Sequence, residues 1–282
     1  MRYFKFTIFT PLYNGEKTVH RVFNSLRSST YKNFEWIVVN DGSLDNTEEV
    51  FTSIIKNVDW DITFINRKEN KGKHIAWNEA ARIAKGDLFI VVDCDDGFKP
   101  ESLSFFNEKW NEYYDDKEVS GIEVLCEDAE NGNICGIKYP YDGIKSNYRD
   151  FYSILKVRGD KWHCFRTEYI KLFPYPEIKA NYYTECYLHY SLSEKYIQIG
   201  YNKSLHIYYK ENNSITHTKK ENRNNLYMIC HYQKWHIPRI ATYLLKRNPR
   251  ELCRCIKELI VTTIKYYLMR LFKIEEVKYY KE

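Results

Sequence analysis

Glycine-rich phosphate loops, paired cysteines and long apolar runs are all missing from this chain of 282 residues. The eight cysteines stand singly apart from Cys253 and Cys255, and no C-x-x-C pair occurs. Neither a zinc ribbon nor a dithiol redox centre is therefore expected, and free thiols in a reducing cytosol fit the pattern. No apolar run reaches the roughly eighteen residues that a membrane span needs, so no transmembrane helix is expected. Lys5, Thr7 and Thr10 break the apolar start, which reads as a first strand rather than a signal peptide. The segment Pro11-Leu12-Tyr13-Asn14-Gly15 carries one glycine where a nucleotidyl-transfer loop wants several.

What is present describes a globular protein. Hydrophobic residues make up 44% and charged residues 29%, enough for one large α/β domain with an appendage or for two small domains. The 26 tyrosines suit stacking on sugars and bases, although half-buried structural tyrosine is the plainer reading for most of them. Charge is uneven: residues 223–282 hold thirteen Lys or Arg against five Glu, a balance of +8, which leaves −3 for residues 1–222. An acidic body without a recognition motif argues against nucleic acid as a partner.

The first hundred residues alternate β-rich runs at Phe6–Phe9, Trp36–Val39, Ile62–Ile65 and Leu88–Val92 with helical patterns at Glu16–Ser28, Thr47–Lys56 and Lys73–Ala84. Strand and helix in repeated alternation predict a parallel sheet with both faces covered. Ligands of such sheets bind beyond the carboxyl ends of the strands. Pro11–Asn14, Asn40–Ser43 and Asp93–Asp96 all fall there.

Further along, a hairpin about Asn131-Gly132 is expected to join Gly121–Leu125 to Ile134–Ile137, with more strands at Trp162–Arg166 and Ser204–Tyr209. Thr184–Lys195 reads as a helix opening on the acid Glu185. Two helical stretches follow from about Arg223, divided at Asn248-Pro249. In the second, Leu252, Ile256, Leu259, Ile260, Ile264, Tyr267 and Leu271 recur at helical spacing opposite Arg250, Arg254, Lys257 and Lys265. This basic amphipathic helix suits packing on its own domain, a second copy of the chain, or an anionic lipid surface.

The segment Asp93-Cys94-Asp95-Asp96 directly follows the apolar run Leu88–Val92, so a buried strand delivers several carboxylates to one loop. Like charges this close need a proton or a cation to offset them, and Mg2+ or Mn2+ is the natural candidate. An acidic helix-capping turn before Pro100-Glu101 is the plainer alternative. Asp45, with Glu48 three residues on, looks like a capping box and hence structural. Asp41, at a strand end before Gly42, suits accepting a ligand N–H, with turn chemistry as the alternative.

Taken together, Pro11-Leu12-Tyr13-Asn14, Asn40-Asp41-Gly42-Ser43-Leu44-Asp45, Asn70–Asn78 and Asp93–Asp96 resemble the motifs of glycosyltransferase family two. Gly159-Asp160-Lys161, Tyr175-Pro176-Glu177, Tyr183-Thr184-Glu185 and Asn213-Ser214-Ile215 extend the resemblance toward the bacterial polysaccharide and surface-glycan members. It implies a GT-A fold: a Rossmann-like, mostly parallel α/β sheet flanked by helices over residues 1–216. A nucleotide-binding half (1–115) and an acceptor-binding half (116–216) would precede a helical extension (217–282).

It also implies an inverting, metal-dependent enzyme that moves a hexose or N-acetylhexosamine from a UDP-sugar to a glycan, lipid-linked or glycoprotein acceptor. Pro11, Tyr13 and Asn14 would border the donor, with Pro11 and Tyr13 flanking the base and Asp41 accepting the uracil imide N–H. Lys73 would approach the base, ribose or phosphates. Asp93 would touch the ribose or the metal shell, and Asp95 would ligate the Mn2+ or Mg2+. Glu185 would be the general base, so Glu185→Gln is expected to leave donor binding and remove most transfer; a carboxylate that merely favours the helix dipole is the alternative. The expected location is cytoplasmic, peripheral at the inner face of the cell membrane where the tail meets lipid.

The chain departs from the family at Ala76-Trp77-Asn78, where Ala-Arg-Asn is common, and at Ala180 or Asn181, where a further acid often stands. His206 and His217 fall where some GT-A enzymes recruit another metal ligand, and Lys210 where a cation could meet the diphosphate; core or surface roles are the plainer readings. Two other classes compete: sugar-phosphate nucleotidyl transfer, and a non-catalytic GT-A-like assembly module working through the basic helices.

Overall fold

Four strands alternate with three helices at the start of the chain: β1 (Phe6–Leu12), α1 (His20–Ser28), β2 (Phe34–Asp41), α2 (Thr47–Ile55), β3 (Asp61–Arg67), α3 (Lys73–Ile83) and β4 (Leu88–Val91). The computed structural model describes residues 1–178, 180, 183–210, 220–274 and 276–278. After β4 come β5 (Gly97–Phe98), α4 (Ser102–Tyr113), β6 (Val119–Asp128), β7 (Ile144–Ser146), α5 (Tyr148–Ser153), β8 (Lys161–Arg166), α6 (Thr167–Leu172), α7 (Cys186–Leu192) and β9 (Ile197–Tyr208). The chain continues through β10 (Lys220–Asn222), α8 (Arg223–Arg247), α9 (Pro249–Leu271) and β11 (Glu276–Lys278).

The main sheet runs β3-β2-β1-β4-β8-β6-β9-β5, with β7 beside β9. β1 pairs in parallel with both β2 and β4, so the strand order reverses there and leaves a crevice at the carboxyl ends. β8 runs antiparallel to β4 and β6, which brings the second half of the chain into the same sheet. Successive strand residues face opposite layers. Ile8, Trp36 and Val38 join one buried cluster with Phe51 of α2, while Phe9, Ile37 and Val39 join the other with Ala76, Trp77 and Ala80 of α3. Continuously buried strands of this kind need helices on both faces.

Buried charge is tied down. Glu35, 2% exposed, accepts hydrogen bonds from Thr7 Oγ1 (2.5 Å), Lys85 N (2.6 Å) and Gly86 N (3.0 Å), joining β1, β2 and the turn into β4. Fully buried Arg166 donates to the carbonyls of Val119 (2.7 Å), Tyr114 (2.6 Å) and Asp116 (2.8 Å), tying the end of α4 to the start of β6.

Two local expectations change. The chain does turn at Gly132, whose φ is 69°, but Ile134–Ile137 forms isolated bridges rather than a hairpin strand, Ile134 with Glu127 and Gly136 with Gly159. Over Gly121–Leu125 both edges of β6 are taken by β8 and β9, so the turn closes only onto Cys126–Asp128, where Asp128 N bonds Asn133 O (2.8 Å) and Cys135 N bonds Cys126 O (2.9 Å). Asp45 is structural, yet not through a box with Glu48: its carboxylate accepts from Thr47 N (3.1 Å) and Glu16 N (3.3 Å), and Asn46 stands at the cap. The divide at Asn248-Pro249 is as expected, with Asn248 Oδ1 capping Glu251 N at the start of α9.

Candidate active site

The loops beyond β1 and β2 are stitched together. Asn14, whose φ of 51° is tolerated well by asparagine, donates its N–H to Ser43 Oγ (2.9 Å) and accepts from Leu44 N through its side-chain oxygen (2.8 Å). Pro11 is half-buried and Tyr13 exposed at the rim of this seam. Asn14 therefore shapes the rim with the same amide that sequence reasoning reserved for a donor.

Asp41 ends β2 almost fully buried. Its carboxylate pairs with Arg67 Nη1 at 2.7 Å and accepts from Lys71 N (3.0 Å) and Gly72 N (2.7 Å). Arg67, at the end of β3, reaches on to Glu79 Oε2 at 2.5 Å. Two glycines make the close approach feasible. A Cβ on Gly42 (φ 71°) would lie 2.6 Å from Glu69 C, and one on Gly72 (φ 102°) 2.3 Å from Ala180 O. Just past Gly72, His74 Nε2 lies 2.8 Å from Ile178 O, and Asn78 exchanges two 2.8 Å bonds with the backbone of Tyr175. The first turns of α3 thus hold the segment that leads to Glu185. Trp77, at the departure from the family pattern, is buried core against Phe9, Phe89 and Tyr175, so that position packs rather than contacts a ligand.

Lys73 joins the two halves of the site. Its Nζ is 2.8 and 2.9 Å from the two oxygens of Asp93 and 2.8 Å from Glu185 Oε1. Burial would lower the ammonium, but the Asp93 and Glu185 charges and the hydrogen bonds to both outweigh it and raise it well above the ordinary lysine range. Glu185 stands just before α7, and Lys73 holds its carboxyl below the usual range against the effect of burial. The Glu185 side chain is nevertheless 58% exposed, open to a second molecule.

Beyond β4, Asp93, Asp95 and Asp96 present carboxylate oxygens that all lie within 4.8 Å of one another. Cys94 turns inward between them, its thiol pushed up to about 12 by burial and the neighbouring carboxylates, with bonds to Tyr13 and Thr18 in the loop after β1. Asp96 is buried, and burial followed by the Asp93 and Asp95 charges pushes it up to about 8. The donor set is all hard oxygen, and closing it without a cation forces a proton onto Asp96. Both properties fit Mg2+ or Mn2+.

Sequence reasoning assigned no role to two neighbours, Asp96 and Arg21, and weighed His206 as a further metal ligand against a core or surface role. Asp96 stood within the acidic run without a role. His206 Nε2 lies 3.6 Å from Asp96 Oδ2, and burial pushes that imidazole down to about 3, so it is neutral. Arg21 of α1 donates from Nη1 to Asp95 O at 2.7 Å and stacks 4.1 Å over the Tyr209 ring, on the wall of a cavity of about 570 Å3. Only the charge pattern of α1 could have signalled Arg21. Lys210 pairs with Asp128. His217, Asn181 and Asn213-Ser214-Ile215 lie outside the described residues.

Comparison with known proteins finds relatives of this chain. The model of the family described as Glycosyl transferase family 2 matches residues 7–166. The chain is 33% identical over 107 residues to a teichoic acid poly(glycerol phosphate) polymerase of Staphylococcus epidermidis, a match covering 38% of this chain and 15% of that protein. It is 29% identical over 220 residues to glycosyltransferase GlyA of Streptococcus pneumoniae, covering 72% of this chain and 30% of that one. The crystal structure of S. aureus TarS 1-349 with UDP-GlcNAc superposes with a TM-score of 0.66 at 17% identity, over 93% of this chain and 73% of that one. That likeness bears on the fold, which is the GT-A fold the sequence resemblance implied. The chain spans about a third or less of the length of these two curated relatives.

Proposed function

The chain belongs to glycosyl transferase family 2, and from that premise we propose that it transfers a sugar from a UDP-sugar to a hydroxyl of a bacterial surface glycan or its lipid-linked precursor, with inversion at the anomeric carbon. The observation that carries this reading is the meeting at Lys73 of Asp93, from the acidic turn, and Glu185, from the start of α7. A donor site and a candidate base, 92 residues apart in sequence, stand on either side of one ammonium.

In this reading the uracil sits between Pro11 and Tyr13. Asp41 has about four acceptor positions, of which Arg67, Lys71 N and Gly72 N use three, and the imide N–H takes the fourth. Asp93 and Asp95, with Asp96 beside them, would hold the divalent cation. When bound, that cation offsets charge on the diphosphate as the sugar leaves. Glu185 takes the proton of the acceptor hydroxyl while its oxygen bonds to the anomeric carbon and the bond to the diphosphate breaks, the electron pair leaving with UDP. The UDP-GlcNAc bound by TarS and the surface-polymer relatives support UDP and a surface-glycan acceptor. Incubating the chain with Mn2+ and a panel of UDP-sugars tests the reading: one of them should be consumed faster than by buffer, and Glu185→Gln should lose that turnover.

The reading extends to α9. Ile256, Ile260, Ile264, Tyr267 and Leu271 are 42–72% exposed in one stripe, beside exposed Arg250 and Lys257. Among the described residues, no helix is long and apolar enough to cross a membrane. An apolar stripe flanked by cations suits an anionic lipid surface, whereas a second copy would bring one +8 tail against another. α9 packs on α8, and α8 on α7 through Trp235 and Tyr187 at 4.6 Å, so lipid contact there would hold Glu185 near a lipid-linked acceptor.

A further inference from the structure

The Lys73 ammonium has three protons to donate and hydrogen-bonds Asp93 Oδ2 and Glu185 Oε1, two carboxylates that differ in kind. Asp93 offers both oxygens, at 2.8 and 2.9 Å, and stands in the acidic turn; Glu185 offers one, at 2.8 Å, and is 58% exposed. The backbone at this point is fixed, because Gly72 N is bonded to buried Asp41 and the Gly72 backbone abuts Ala180 O. The lysine stem above it is four flexible carbons. The ammonium can therefore change partners while α3 stays in place.

An ammonium on Glu185 Oε1 takes one of that oxygen's lone pairs and makes the whole carboxylate a weaker base toward an alcohol proton. We propose that Lys73 is a positioning residue that trades partners: without donor it holds Glu185, and an incoming diphosphate draws the ammonium away and leaves Glu185 free for the acceptor hydroxyl. This deepens the functional reading above and rests on it. The trade is cheap on the Glu185 side, since a carboxylate so exposed recovers most of its partner's worth from water. The diphosphate offers the ammonium stronger, multiply charged acceptors than one glutamate does. The consequence is an order of events: the base is presented only after the nucleotide has arrived, so the acceptor hydroxyl engages a site already loaded.

The trade has a signature in nucleotide binding that needs no acceptor. Because UDP must break the Lys73–Glu185 pair, removing the glutamate charge makes binding tighter. Calorimetric titration of UDP in the presence of Mn2+ should show Glu185→Gln and Glu185→Ala binding roughly two- to fivefold more tightly than the unaltered chain, the range set by an exposed ion pair. Lys73→Met should bind more weakly, and adding Glu185→Gln to it should change nothing further. A lysine that only supports the fold would weaken binding when replaced but could not make a glutamate replacement tighten it. Unchanged or weaker UDP binding by both glutamate variants overturns the trade while leaving the donor site intact. Failure of the unaltered chain to bind UDP overturns the functional reading itself, and the trade with it.

Discussion

Lys73 Nζ lies 2.8 Å from Glu185 Oε1 across 112 residues of sequence, and the same ammonium grips Asp93. One side chain at the start of α3 thus joins the turn after β4 to the start of α7, the two places to which the proposed function assigns donor and base. The account of function depends on what those three residues do to one another.

Glu185 in the role of base leads to the first expectation. Glu185→Gln keeps the size and loses the basicity, so transfer should fall by about 10²–10⁴-fold while UDP still binds. Product formation at saturating donor measures this directly. Transfer within a few-fold of the unaltered chain would remove Glu185 from the chemistry.

Asp41 is where binding and stability meet. Its carboxylate answers Arg67 and two backbone N–H groups in a buried setting. Asp41→Ala leaves all three without their acceptor and should cost about 1–3 kcal/mol of folding stability or more, along with UDP affinity. Urea unfolding of both chains would register it, and an unchanged midpoint would contradict the described network.

Acidity should unfold the chain through its histidines. Burial first, then neighbouring cations, holds His163 well below 6.5; burial also pushes His189 and His236 down to about 4 and His206 to about 3. A group depressed in the fold contributes stability that is full above its unfolded value of about 6.5 and is lost as pH falls toward the folded value. Glu123, pushed up to about 7 by burial, and Asp96, up to about 8, work the other way. The histidines outnumber them, so stability should fall with pH between about 6.5 and 4.5. Denaturant midpoints that stay level or rise over that window would contradict the buried, neutral placement of these rings.

For the tail, Ile260→Ser with Ile264→Ser should reduce cosedimentation with vesicles containing anionic lipid. Both residues are 54% exposed, so folding should be little affected. A chain that instead forms a dimer dissociated by these changes would make the stripe an interface between copies.

Much of this architecture is legible in one sequence because its first hundred residues obey local rules. Buried parallel strands such as Phe34–Asp41 carry an unbroken apolar run, here Trp36–Val39, and helix signals and strand ends fall at regular intervals, so the crevice and the loops that border it follow. The hairpin at Asn131-Gly132 misleads because turn chemistry speaks for the turn and not for the strands on either side; β6 is claimed by β8 and β9, more distant in the chain. Lys73 and Glu185 each read as site residues from motifs, yet their pairing depends on α3 and the segment at Tyr175–Ile178 being bonded together, which no local pattern encodes. Arg67 escapes for the same reason, and His206, weighed as a metal ligand or a core histidine, finds its place beside Asp96 only once the sheet has formed.

The claim on which the rest depends is that the acidic turn seats a sugar nucleotide's diphosphate through a divalent cation. The most direct test is calorimetric titration of UDP into the unaltered chain and into Asp95→Asn, each with Mn2+ and with chelator. The account predicts binding by the unaltered chain that needs Mn2+, and its loss in Asp95→Asn. UDP binding of equal strength in all four titrations would contradict it.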